Sequence, residues 1–133
     1  MKLSISGEAQ YQGDNGGTYF LQEDKTNNKP YWIHQSGGMA IWWDNEYNKW
    51  KIGPFEHLGS EIAGIIGPSN NDNSPNQIIN GWQYAPEDSN VPWTDTNDVH
   101  FEDWTFKQGK FLFICFERTY FTEQMQNPNK CLN

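Results

Sequence analysis

The segment 17–54 runs in short stretches of mixed apolar and polar residues, broken at 25–30, at Ser36-Gly37-Gly38 and at 44–48 by Gly, Asn, Asp and Pro. Stretches of about four to eight residues at that spacing are strand-length, and no long amphipathic helical pattern occurs in the chain. Gly, Asn and Asp tolerate the positive φ that tight turns require, so these stretches are expected to fold back on one another as an antiparallel meander. The same reading places strands over 3–6, 18–22, 31–35, 39–43, 49–52, 62–66, 81–85, 99–106 and 110–117. The predicted fold is all-β: a single-domain antiparallel β-sandwich or partly open barrel built on a four-stranded meander. One domain over 1–118, followed by a polar tail over 119–133, suits a chain of 133 residues.

What fills such a fold is unusual. Seven Trp, six Tyr and eight Phe stand against five Leu, ten Ile and two Val, so rings must occupy much of the interior. Alternate residues of a strand face opposite sides. One face of the meander is then expected to carry Tyr19, Leu21, Tyr31, Ile33, Ile41, Trp43, Trp50 and Ile52. The other carries Thr18, Phe20, Trp32, His34, Trp42, Lys49 and Lys51. Two readings of that second face stay open. Either the loop segment 68–92 covers it, or Trp32 and Trp42 are left partly exposed beside His34 as a binding surface. Trp82 and Trp93, set among Asn, Asp and Gln, join Trp32, Trp42 and His34 as candidate binding residues. Segment 68–93, rich in Pro, Asn, Asp and Ser but punctuated by aromatics, reads as an ordered loop within the one domain.

Charge narrows the partners. A net charge of −8 with nine scattered Lys and Arg argues against nucleic acid and against anionic membrane surfaces. No stretch approaches the ~20 apolar residues of a membrane span, and the first ten residues hold no apolar run of signal-peptide length. A cytoplasmic or assembly-bound location is the default expectation, and the absence of an Asn-x-Ser/Thr acceptor leans the same way.

Chemistry-bearing residues do not assemble into a known set. His34, His57 and His100 are isolated, and no pair of His or Cys has zinc-site spacing, so no metal and no cofactor is expected. No Ser nucleophile elbow, phosphate loop or dinucleotide fingerprint is present. Carboxylates gather at Glu87-Asp88, at Asp95 and Asp98 and at Glu102-Asp103, but a glycosidase needs two of them facing across a groove. Asp95-Thr96-Asn97-Asp98 lacks the spacing and the Gly of a calcium loop and reads as a solvated turn. Cys115, within FLFICFE, reads as a buried small hydrophobe, with a bridge to Cys131 as the alternative.

The run Gly17-Thr18-Tyr19, Asn27-Asn28-Lys29-Pro30-Tyr31-Trp32 with His34, Ile41-Trp42-Trp43, Trp50-Lys51-Ile52-Gly53 and Gly81-Trp82-Gln83 resembles a Trp-rich β module. That module occurs singly or in tandem in proteins of ciliates, other protists and marine invertebrates. The resemblance spans about residues 3–106 and rests on turn-and-strand signatures; it implies no activity and no functional residues. The residues themselves lead to a non-catalytic protein-interaction or scaffold component that meets a protein partner or a larger assembly through exposed rings. The alternative is a carbohydrate-binding module that stacks a glycan on Trp and Tyr faces.

Overall fold

The computed structural model describes residues 1–69 and 74–102. Among these residues nine strands follow one another: β1 (Lys2–Ile5), β2 (Gly17–Thr26), β3 (Lys29–His34), β4 (Met39–Asp44), β5 (Lys49–Pro54), β6 (Ile65–Ile66), β7 (Trp82–Tyr84), β8 (Thr94–Thr96) and β9 (Val99–Glu102). They form one sheet in the order β8-β7-β6-β5-β4-β3-β2-β1-β9, with every neighbouring pair antiparallel. The predicted all-β meander is therefore present, and it extends further than expected. Three 3-10 segments, Gly7–Asn15, Phe55–His57 and Pro75–Gln77, lie in the connections.

Local chemistry sets the hairpins. Asn27 and Asn28, at φ 53° and 69°, make the two-residue link between β2 and β3, the double left-handed conformation that matches strand twist. Asn48, at φ 55°, closes the four-residue link between β4 and β5. A register shift between Leu21 and Lys25 puts a bulge into β2.

Topology then bends the sheet. β8 and β9 are its two outer strands, yet only Asn97 and Asp98 separate them in sequence. Laid flat, nine strands would span about 38 Å at roughly 4.8 Å per step. Three Cα steps from Thr96 to Val99 reach at most about 11 Å. The sheet must curl until its edges approach, and the result is a nearly closed barrel. Two hydrogen bonds fasten the link: the Asp98 N–H donates to Thr96 Oγ1 at 2.9 Å and the Ser6 N–H to the Asp98 carbonyl at 3.1 Å.

The barrel interior holds Leu3, Tyr19, Ile41, Trp43, Trp50, Ile52, Ile65, Trp82, Tyr84 and Val99, with Ile5, Trp32, Met39 and Phe101 against them. Because β6, β7 and β8 are two or three residues long, each offers only one or two inward positions. Large rings fill the interior from few positions. Trp50 sits between Trp32 and Trp43, with ring centroids 5.8 and 5.3 Å away in edge-to-face geometry. The segment Gly7–Asn15 packs Ala9 into this core and is tied to it by the Gln12 side chain, whose Nε2 donates to the Ala85 carbonyl at 2.9 Å.

A second, smaller cluster lies outside the barrel wall, where Tyr31, Ala40 and Trp42 pack with Ile33, Leu58 and Ala63. Two expectations are corrected here. Trp32 pairs with Ile41 and shares its inner face, while Tyr31 and Ile33 face outward with Ala40 and Trp42. The pattern of β3 could not decide this, because both of its faces carry large apolar residues. Among the described residues, the cover over the outer cluster comes from the connection after β5, through Leu58 and Ala63, where 68–92 was expected. Trp42 Nε1 donates to the Ser60 carbonyl at 3.0 Å, and a Cβ on Gly53 would lie 2.9 Å from the Ala63 Cα. Only a glycine lets that chain lie so close.

The remaining differences are local. Strand β8 lies just after the loop read over 68–93 and overlaps the turn read at Asp95-Thr96-Asn97-Asp98, since three residues of Thr and Asp carry no alternation to detect. The expected strand 99–106 is seen as far as Glu102. Its remainder, the strand 110–117, Cys115, Cys131 and the tail 119–133 lie outside the described residues. Trp42→Ala should lower stability by about 3–5 kcal/mol, read from the urea midpoint, because Trp42 is completely buried. Trp93→Ala, at a ring 40% exposed, should change it by less than about 0.5 kcal/mol.

Candidate functional site

The hairpin between β4 and β5 is built around one carboxylate. Asp44 ends β4, and its Oδ1 accepts the backbone N–H of Glu46 at 2.8 Å and of Tyr47 at 3.4 Å, which folds the turn and sets Tyr47 at its tip. Its Oδ2 lies 2.6 Å from Lys51 Nζ, with both side chains over nine-tenths buried. The ammonium donates a second hydrogen bond to the Glu61 carbonyl at 3.0 Å and stands 5.7 Å from the centre of the Tyr47 ring. Lys51 faces outward beside Trp42, its partner across the β4–β5 ladder. Burial pulls the Asp44 pKa upward, but the hydrogen bond from Lys51, the two backbone N–H groups and the ammonium's charge outweigh it. The carboxyl is held below its ordinary value.

Beside this pair runs a groove of about 260 Å³ lined by Tyr47, Lys49, Lys51, Glu61, Ile66 and Trp93. Tyr47 is 51% exposed, so two open rings belong to one concavity. The negative field of Glu46, helped by slight desolvation and by Glu61, raises the Tyr47 phenol pKa, and the phenol stays protonated. The arrangement combines flat apolar faces, a cation and an anion over a rigid base. It has the ingredients of recognition.

The five residues singled out from sequence do not come together. Trp42 is sealed under Ser60 on the outer wall. Trp82 is sealed inside the barrel, its Nε1 donating to the Ile78 carbonyl at 3.1 Å. Trp32 is half-buried against Trp50. His34 spends both ring nitrogens internally: Nε2 donates to the Gly16 carbonyl at 2.8 Å, while Nδ1 accepts the Ser36 N–H at 2.9 Å. Gly17, at φ 132°, leaves room for it, since a Cβ there would overlap His34 Nε2. Trp93 alone of the five is exposed, and it lies in the groove. Tyr47, Lys49, Lys51, Glu61 and Ile66 were missed as site residues. Tyr47 at the tip of an Asp-initiated turn was the one detectable signal, whereas Lys51, Glu61 and Trp93 meet only through the fold.

A larger cleft of about 540 Å³ opens where β7 and β8 meet the link to β9, lined by Trp82, Tyr84, Asp95, Asn97 and Asp98. Its two rings are buried, and Asp95 Oδ1 already accepts the Gln83 amide at 2.9 Å. Among the described residues no group of three or more His, Cys, Asp and Glu is placed to hold a metal ion, and no helix is long and apolar enough to cross a membrane.

Lys51→Met should cost about 3–5 kcal/mol at neutral pH, because Asp44 would stay buried and charged with no cation. Asp44 has its folded-state pKa depressed, so its contribution is present above the ordinary carboxylate pKa and is lost as pH falls through the folded value. The wild type and Lys51→Met should therefore converge in stability as pH falls through that folded value, below the ordinary carboxylate pKa. Urea titrations across that range read the gap directly. A gap that persisted into acid would mean that Lys51 acts by packing and not by charge.

Comparison of the chain with protein-family models, curated proteins and solved structures finds no match.

Proposed function

We propose that this chain is a non-catalytic recognition domain whose binding surface is the groove between Tyr47 and Trp93. One observation carries the reading. Among six described indoles, four are buried and Trp32 is half-buried, while Trp93 stays open in the same concavity as an open Tyr47. An exposed ring loses apolar surface to a ligand that a buried ring cannot offer, and rigid aromatic side chains lose little entropy when they do so. The Asp44–Lys51 pair holds the tyrosine's turn before any ligand arrives, which lowers the ordering cost of binding.

A second reading, that the domain meets a protein partner within a larger assembly, is favoured by a different observation. Phe20 and Leu21 are adjacent and both more than half exposed on β2. Among the described residues β1 and the preceding Met1 bond that strand at Gly17, Thr18 and Tyr19, so the strand runs on past its neighbour from Phe20. The bulge and the charges of Glu23, Asp24 and Lys25 that follow are features that guard an edge, and for this reason the groove is the preferred surface.

The two surfaces separate in one experiment. The full chain, a Tyr47→Ala/Trp93→Ala variant and a Phe20→Ser/Leu21→Ser variant are screened on the same oligosaccharide and peptide arrays. Ligands of the wild type should be lost by the groove variant and kept by the edge variant. The reverse pattern would transfer the function to β2.

A further inference from the structure

Resting on the reading of the groove as the binding surface, we infer that its ligand is a neutral pyranose ring of an oligosaccharide. The inference begins with charge. Lys51 is the most deeply placed cation in the groove, yet it is neutralised by Asp44 at 2.6 Å and spends another proton on the Glu61 carbonyl. What remains are Lys49 and Glu61 in the lining, with the Glu46 carboxylate beside the Tyr47 phenol. Lys49 is thus more than matched by carboxylates, and no surplus positive charge is left. A phosphate or sulfate would meet Glu61 with no surplus cation. A lysine or arginine side chain would meet Lys49, and would find the Tyr47 ring already facing the Lys51 ammonium at 5.7 Å.

Shape and polarity narrow the choice further. A purely apolar side chain would desolvate Lys49 and Glu61 without offering either a hydrogen bond, which is costly. A pyranose has both requirements in one molecule: a face of C–H groups that can lie on Trp93 or Tyr47, and a rim of hydroxyls that accept from an ammonium and donate to a carboxylate. The groove's roughly 260 Å³ falls just under the ~300–1,000 Å³ of drug-sized pockets. One sugar ring is the right scale, with further rings outside. A protein partner would have to bury at least ~1,000 Å² in total, far more than this concavity provides.

The test titrates the full chain while following indole emission. Its arms are neutral tetrasaccharides of glucose, mannose, galactose and N-acetylglucosamine, a heparin hexasaccharide, sialyllactose, inorganic phosphate and a random dodecapeptide library. At least one neutral tetrasaccharide should shift the emission. Trp93→Ala and Tyr47→Ala should each weaken that binding about tenfold, as loss of a stacked ring does elsewhere. Glu61→Gln and Lys49→Gln keep a hydrogen-bonding group without charge and should weaken it by less than about threefold. Affinity should hold as salt rises from about 0.05 to 0.5 M. Circular dichroism and urea midpoints confirm that each variant is folded. Binding confined to heparin, sialyllactose or phosphate, or lost with salt, overturns the neutral-sugar inference while the groove reading stands. So does Trp93-dependent binding of peptides alone. If no arm yields a ligand that depends on Trp93, both the inference and the groove reading fall.

Discussion

Two residues, Asn97 and Asp98, join the outermost strands of a nine-stranded sheet, and the rest of the structure answers to that short link. Once the edges are drawn together, the sheet encloses a space that must be filled, because an empty interior forfeits the dispersion contacts on which a packed core depends. Strands of two to four residues provide few inward positions around half of the wall. The chain meets this with indoles and phenols at Trp43, Trp50, Trp82, Tyr19 and Tyr84. Trp43, Trp50 and Trp82 thus serve to fill the closed sheet, while Trp93 keeps an exposed face.

The same wall supports a different environment on its outside. Trp42, Tyr31 and Ala40 pack beneath the connection that follows β5, and the edge of that cover is where Lys51 reaches both Asp44 and the Glu61 carbonyl. Removing two opposite charges from water is expensive, and the geometry meets much of that cost with two backbone N–H groups on Asp44 and a carbonyl on Lys51. The pair joins the hairpin turn, strand β5 and the covering connection. A surface ring on that turn is therefore held in place, which suits a binding surface that must not be reordered for each encounter.

Much of the fold was legible, and residues show why. Asn27-Asn28, Ser36-Gly37-Gly38 and the turn after Asp44 announce hairpins through their backbone preferences, which act over two or three residues and need no partner. Strands β2 to β5 followed from them. Strand β3 was read in the wrong orientation because Tyr31-Trp32-Ile33-His34 offers a large ring or branched chain to either face, so period-two reasoning returns two equal answers. The site was less legible still. His34, singled out as a binding residue, is a structural tie from β3 to the backbone of Gly16, and Trp42 belongs to a buried cluster. Neither fact leaves a local trace.

By itself, then, the amino-acid order determined the β class, the hairpin positions and the need for an aromatic interior, since steric preference and side-chain alternation are local properties. Tertiary structure alone decided which indole meets water and which charges cancel. Those outcomes depend on Lys51 meeting a backbone carbonyl ten residues away, and on Trp93 arriving beside Tyr47 from forty-six residues further along. Such meetings follow from the closure of the sheet, which no short window of sequence contains.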